Sequence, residues 1–515
     1  MYIGDYLGRR EIYSPDKLAI IDAGKEPELR LTYRQWNRRV NRLANWLRDE
    51  AGVVKGDRVA ILARDGIEHL DLFHACAKLG AIHTALNWRL HWRELVGLIE
   101  QTEPKVLLYS DDFRQTVAEV EGAIRDTAHA IDHYVHIEGG GIAGSLHYQS
   151  ILDASPETPV TCESLEKDDI ACLLFTGGTT GLPKGAMISH RQICWNVLNT
   201  VTHDVTHNDI YLCVFPLFHT GGLFTYMSSQ VIFGNTSILV RQFDPEQVLD
   251  LLERERVTIF AAVPTMYQMM TQAPNWETAD LSSLRFCTSG GAPLPVPLVN
   301  RYGSEKGIRF KQGFGMTEYG PGLFALPAED AIRKAGSIGR PNFFVDVRVV
   351  DGDNNPLGAN EVGELVLKGP SGCSGYWNNP EATAAAYDAE GWFRTGDLVY
   401  HDEDWYFYVV DRKKDMFISG GENVYPAEIE AVIYQHPAVH MCAVIGVPDH
   451  KWGEVGLACV VLKPGTSPTK EELIAFMQDH LARYKVPKSV EFLSELPISA
   501  AGKILKRELQ DRLVG

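Results

Sequence analysis

A chain of 515 residues is too long for one compact core and is expected to divide into two to four domains. With 45% hydrophobic and 23% charged residues, its composition is that of an ordinary globular protein. A net charge of −18 argues against a nucleic-acid or anionic-membrane surface, so any phosphate ligand must be held by locally placed donors.

In chain order, the opening "MYIGDYLGRREIYSPDK" carries charges throughout and has no apolar core, so no leader peptide is expected. The stretch "TYRQWNRRVNRLANWL" sets Thr32 three residues before Gln35, a capping box, and puts Trp36, Val40, Leu43, Ala44 and Leu47 on one helical face. "DRVAILARDG" reads as a buried strand, and "HLDLFHACAKLG" as a helix closed by Gly80. The alternation returns at "DIYLCVFPL", "TSILV", "QVLDLLERERV" and "TIFAAV", which predicts an α/β fold of layered sheets covered by helices. Near residue 410 the pattern changes. "DRKKDMFISGGENVYPAE" begins with five charges, and beyond it come a helix (427–436), strands at "HMCAVIGV" and "GLACVVLKP", and a helix over 470–482. The reading is a large N-terminal domain (1–412), a hinge (413–415) and a small mobile α+β domain (416–515). Nine scattered cysteines, never spaced C-x-x-C, fit reduced thiols, and no apolar run is long enough to span a membrane. A cytoplasmic enzyme is expected, without integral membrane association; a homodimer stays open.

"LLFTGGTTGLPKGAMISH" (173–190) has the look of a phosphate-binding loop; taken alone, it also reads as a flexible Gly/Thr loop between a strand and a helix. It fails the P-loop pattern at two fixed positions, with Pro183 where a Gly belongs and Gly185 where a hydroxyl belongs. The physical logic survives. Glycines let backbone N–H groups approach an anion, and Thr176, Thr179, Thr180 and Lys184 crowd the same short segment. Five further stretches accompany it: "PLFHTGG" (216–222), "TSGGAPLP" (288–295), "GFGMTEYG" (313–320), "RTGDL" (394–398) and "PISAAGKILKREL" (497–509).

In this order, with "DRKKD" between the last two, the stretches resemble the acyl- and aryl-CoA synthetases of the adenylate-forming superfamily, which also includes luciferases and peptide-synthetase adenylation domains. The resemblance runs from about residue 10 to the C-terminus. It implies a ligase forming carbon–sulfur bonds. A carboxylic acid and ATP give an acyl-adenylate and pyrophosphate, and coenzyme A then takes the acyl group as a thioester. It further implies that Thr176, Gly177, Gly178, Thr179, Thr180, Gly181 and Lys184 wrap the β- and γ-phosphates, with Gly177 standing where the family usually has Ser. Thr176 and Glu318 would help hold Mg²⁺, a hard cation that prefers oxygen ligands. Thr317 would contact the α-phosphate. Phe314, followed by Gly315 and Met316, would stack on adenine opposite the backbone of Gly290, Gly291 and Ala292. Asp397, assisted by Arg412, would take the ribose hydroxyls.

By the same resemblance, His219 lines the acyl pocket near the reacting carboxylate, and Lys503 bridges carboxylate and phosphate during adenylation. Lys414 is the hinge, Gly420, Gly421 and Glu422 belong to the loop used in the thioester step, and Lys451 approaches CoA. Lys506 reads as a solvated surface lysine. The expected acyl wall is Phe218, His219, Leu223, Phe224, Met227, Met266, Tyr267 and Tyr319, with no cation among the large apolar members to pair a second carboxylate. An apolar acid is therefore expected, a medium- or long-chain fatty acid first. An aryl or cinnamate-type acid, or an adenylating enzyme that loads a separate carrier protein, remains the alternative.

Overall fold

Local signals place the early elements. Thr32 Oγ1 accepts from Gln35 N at 3.3 Å and Thr32 N donates to Gln35 Oε1 at 2.9 Å, closing the capping box of helix Tyr33–Asp49. That helix buries Trp36, Val40, Leu43, Ala44 and Leu47, the face expected from the spacing. Helix Ile67–Leu79 ends on Gly80, whose φ of 71° is left-handed. The computed structural model describes residues 4–176, 183–292, 294–413, 415–419, 422–498 and 504–513, with 201, 202, 422 and 423 by backbone alone.

The chain packs as two units. Met1–Asp346 with Lys368–Tyr387 form the first, and Val347–Leu367 with Asp388–Gly515 form the second. This line differs from the pivot expected at 413–415, because it groups residues 347–367 and 388–412 with the C-terminal sheet. A unit is defined by packing and a pivot by motion.

The first unit holds two sheets. In the seven-stranded one, Arg58–Leu62 sits between Ile82–Ala85 and Val106–Tyr109, all parallel, and the hairpin Ile170–Thr176/Lys184–Ser189 closes one edge. In the nine-stranded sheet, Phe310–Met316, Phe286–Gly290, Ile259–Ala262, Ile210–Cys213 and Thr236–Leu239 follow one another in parallel. The strand order reverses between Ile210–Cys213 and Ile259–Ala262. The chain leaves the first toward Thr236–Leu239 and the second toward Phe286–Gly290. In open α/β sheets a ligand crevice lies outside the carboxyl ends of strands at such a switch point. "PLFHTGG" and the segment starting at Val263 are the two loops that flank it.

The second unit carries a four-stranded sheet (Asp346–Val350, Gly363–Lys368, Phe393–His401, Phe407–Arg412) and a five-stranded sheet built on the long antiparallel pair Val439–Asp449 and Gly453–Leu462. Its core joins Phe417, Ile429, Val444, Val460 and Leu473. Among the described residues, no helix is long and apolar enough to cross a membrane.

Candidate active site

The expected phosphate loop joins two antiparallel strands, with Thr176 opposite Lys184, and the next helix, His190–Asn199, starts only after the second strand. The strand-to-helix reading is corrected here. A P-loop aims a helix amino terminus at its phosphates, and a loop closing a β-hairpin has no such terminus beside it, so it need not keep that spacing. Thr176 Oγ1 donates to Lys184 O at 3.4 Å, and Lys184 Nζ stands 5.1 Å from the centre of the Tyr376 ring. Gly177, Gly178, Thr179, Thr180 and Gly181 lie outside the described residues.

The segment 313–320 leaves the carboxyl end of its strand and turns back antiparallel, with Phe314 opposite Phe324 and their rings at 5.7 Å, edge to face. Gly315 is required here, since a Cβ would lie 2.4 Å from Pro321 Cα. The next strand over ends in Gly290 and the exposed Gly291 and Ala292, so the 290–292 backbone and Phe314 come from neighbouring strand ends. Met316 closes the strand and Thr317 is buried. Gln192, itself buried, donates to the carbonyl of Glu318 at 3.2 Å, and Cys373 N donates to the same carbonyl at 2.7 Å. The Glu318 side chain accepts from the Tyr376 hydroxyl at 2.8 Å. Burial, and then the Glu318 charge, raise the Tyr376 pKa, so the phenol donates as a neutral group. Among the described residues, no Lys, Arg or His lies within ion-pair distance of Glu318. Tyr376 and Gln192 escaped the sequence reading. Only the "GYW" aromatic beside a glycine hinted at the first.

At the switch point, His219 caps helix Thr220–Phe224 by accepting from Gly221 N at its Nδ1, 3.1 Å away, which leaves the proton of a neutral ring on Nε2. Gly222 must be glycine, because a Cβ would meet Pro216 O at 2.2 Å. Asn196 Nδ2 donates to Phe224 O at 3.0 Å and holds the helix end. Phe218, Leu223, Phe224, Met227 and Tyr319 are buried, Met266 is half-buried, Phe224 packs on Phe73, and Phe218 packs on Trp88. Tyr267 is corrected. Helix Pro264–Met270 turns it into the core behind the sheet, where its hydroxyl donates to Thr288 O at 2.8 Å and its ring packs on Phe310 and Tyr302.

Within the second unit, Asp397 and Arg412 face each other across an antiparallel pair, Nε to Oδ1 at 2.7 Å, with the carboxylate buried and the guanidinium exposed. Lys451 is exposed beside Trp452, with Nζ 4.8 Å from the ring centre and Lys488 at 6.0 Å from the same ring. Lys506 is not solvated, contrary to the reading above. Its ammonium lies 2.8 Å from Glu430 Oε1, and burial lowers its pKa less than Glu430 and Asp411 raise it. Glu430 also accepts from Val444 N at 2.7 Å. Lys414, Gly420, Gly421 and Lys503, and the side chain of Glu422, lie outside the described residues. The bridge Ile498–Ile504 and the bond from Leu505 N to Pro497 O (2.8 Å) bracket the segment that carries Lys503.

Among the described residues, no group of three or more His, Cys, Asp or Glu is placed to hold a metal. That fits Mg²⁺, which keeps several waters and takes one or two carboxylates plus substrate phosphates. Glu318, oriented by a neutral donor and uncancelled by a cation, has the chemistry for it.

Residues 10–377 match the family model "AMP-binding enzyme", and residues 428–503 match "AMP-binding enzyme C-terminal domain". The chain is 42% identical to a feruloyl-CoA synthase of Amycolatopsis sp over 511 residues, 99% of each chain. It is 39% identical to the long-chain-fatty-acid–CoA ligase FadD13 of Mycobacterium tuberculosis, over 99% of this chain and 98% of that one. ATP-bound MatB from Rhodopseudomonas palustris superposes with a TM-score of 0.90 at 31% identity, over 99% of both chains. The anthranilate CoA ligase AuaEII in complex with anthranoyl-AMP gives 0.90 at 28% identity, over 100% of this chain and 97% of that one. The chain thus belongs to the AMP-binding enzymes of the adenylate-forming superfamily, and within them to the acid–CoA ligases.

Proposed function

We propose that the chain activates an apolar aromatic acid, of the phenylpropenoic type, as its adenylate and transfers it to coenzyme A. The observation that carries this reading is the switch-point wall. Phe218 and Phe224 are backed by Trp88 and Phe73, Tyr319 is buried, and ring faces and edges suit a flat aromatic guest. The feruloyl-CoA relatives support the aromatic choice. The fatty-acid reading remains second, supported by the FadD13 likeness.

In this reading Lys184 and the 177–182 segment hold the terminal phosphates, Thr317 the α-phosphate, and Glu318 with Thr176 a Mg²⁺ ion. When bound, that ion neutralises phosphate charge as pyrophosphate leaves. Asp397, fixed by Arg412, accepts from ribose hydroxyls. Lys503 serves adenylation. Gly420, Gly421 and Glu422 serve the thioester step after a rotation about 413–415. Trp452 between Lys451 and Lys488 offers a stacking face and positive charge suited to the nucleotide end of CoA. Pyrophosphate release, then thiol consumption, measured with ferulate, cinnamate, indoleacetate, octanoate and palmitate, tests the assignment. The highest kcat/KM is expected with a phenylpropenoate, and a preference for palmitate would move the reading to fatty acids.

A further inference from the structure

The turn that carries Phe218 and His219 is built largely from its own atoms. His219 N donates to Pro216 O at 3.1 Å, Gly221 N to the His219 ring, and Leu223 N to His219 O at 3.1 Å. A carboxylate from the other sheet also holds it. Leu217 N donates to Asp65 Oδ1 at 2.8 Å. Asp65 lies in the loop leaving the carboxyl end of Arg58–Leu62, and this is the switch point of the other sheet. From there the chain crosses to Ile82–Ala85 on one side and later returns to Val106–Tyr109 on the other. Arg64 and Arg89, the cations facing Asp65, both lie over Trp88, and Arg89 reaches Phe218 as well. Arg64 Cζ is 4.7 Å from the Trp88 ring centre, and Arg89 Cζ is 4.5 Å from Trp88 and 5.7 Å from Phe218. We propose that Asp65 is a positioning residue for the acid pocket: it joins the switch points of the two sheets and fixes where Phe218 and His219 stand, and thereby sets which acids fit. This rests on the acid–CoA reading above and concerns the acid half of the site only.

The burial that accompanies this bond is severe enough to push the Asp65 pKa up to about 7, against the pull of Leu217 N, Arg89 and Arg64 and with Asp22 adding to the rise. A carboxyl kept at that cost, on a loop apart from the phosphate segment, is matched to a task at the 216–222 turn.

The test uses the full-length enzyme with Asp65→Ala and Asp65→Asn. Steady-state pyrophosphate release is measured against acid at saturating ATP and against ATP at saturating acid, for ferulate and octanoate. Losing one hydrogen bond to a carboxyl predicts a rise of about tenfold in KM for the preferred acid in Asp65→Ala, with KM for ATP held within about twofold. The ratio of kcat/KM between the two acids should fall as well. Asp65→Asn keeps an acceptor at Oδ1 and should restore both quantities to within about threefold of the parent. Parallel rises in both KM values, or an Asn variant no better than Ala, would overturn the proposal and leave Asp65 a structural residue. An unaltered Ala variant would overturn it too. A parent enzyme that releases pyrophosphate with none of the acids would instead break the underlying reading and take the proposal with it, so the two failures are told apart by the parent alone.

Discussion

Two carboxylates, one just past a strand end in the first unit and one within a strand of the second, are held in opposite ways. Glu318 receives a hydrogen bond from a neutral phenol, Tyr376, and among the described residues no cation within ion-pair distance. Asp397 is paired at 2.7 Å with the Arg412 guanidinium, the residue opposite it across the pair. A neutral donor orients a carboxylate and leaves its charge intact, whereas a guanidinium cancels that charge while keeping the oxygens as acceptors. The first arrangement suits a ligand that brings positive charge, a metal ion. The second suits neutral hydroxyls, which need acceptors in fixed places and no field. The same contrast recurs away from these motifs. Asp65 accepts from a backbone N–H, and Glu430 is paired with Lys506.

The largest effect is expected where neither carboxylate can help. Both are negative, so the charge that develops between acid and phosphate needs a cation, and the proposal gives that role to Lys503. Lys503→Ala should slow acyl-adenylate formation by about 10² or more, while thioester formation from synthetic acyl-AMP stays near the parent rate. Rapid-quench measurement of both halves checks this. Equal slowing of the two would remove the case for a lysine used in one half-reaction alone. The contrast itself is tested by a pair of variants. Tyr376→Phe loosens Glu318 and should raise the Mg²⁺ concentration for half-maximal pyrophosphate release by about tenfold, with little change in KM for ATP at saturating Mg²⁺. Arg412→Met unlocks Asp397 and should do the reverse. If both variants shift the Mg²⁺ titration alike, the two carboxylates do not divide the work.

What was legible in the sequence was local. The Thr32–Gln35 box, the Gly80 stop and the alternating strands and helices depend on residues a few positions apart, and they stand where the pattern puts them. Partners distant in the chain were not legible. Lys506 sits among charges at the start of a short helix and looks solvated until Glu430 is brought against it by the fold. Tyr376 shows nothing of Glu318, and Asp65 nothing of Leu217. Tyr267 failed for another reason: an aromatic after "VPTM" fits a pocket wall by composition, but the helix starting at Pro264 rotates it into the core. The two strands that flank the phosphate stretch pair antiparallel, a context that Gly and Thr spacing alone does not distinguish from a strand followed by a helix.

Stability gives the next contrast. Removing the cation from a paired carboxylate leaves a charge half out of water, so Lys506→Met should destabilise the chain by about 2–3 kcal/mol, below the range for a fully buried pair because both side chains keep some exposure. Lys506→Arg should recover most of that. Denaturant melts followed through the C-terminal unit measure it. A Met variant as stable as the parent would mean that Glu430 is satisfied by Val444 N alone.

The carboxylate held by a neutral donor should behave in the opposite sense, and with the smallest effect. Asp65 has a folded pKa of about 7, raised chiefly by burial, against about 3.9 in an unfolded chain. Between those values the folded form holds more proton than the unfolded form, so stability falls as pH rises from about 4 to about 7 and is constant beyond. The penalty is absent at low pH and complete at neutral pH, the reverse of a carboxylate with a depressed pKa. Asn cannot ionise, so Asp65→Asn should match the parent near pH 4 and exceed it at pH 8. The gain is on the order of 1–2 kcal/mol, a fraction of the full shift because the side chain retains some contact with water. Asp22, raised to about 6 by burial and by Glu68, has the same sign and stays in both proteins, so the variant's profile should keep a shallower slope and not go flat. Thermal melts of parent and variant at pH 4.5, 6 and 8 give the comparison. A gap that opens steadily with pH supports a carboxylate whose charge is a cost; a gap of one size at every pH would show that folding leaves its pKa unshifted, and a gap that turns against Asn as pH rises would show that the charged form is stabilised.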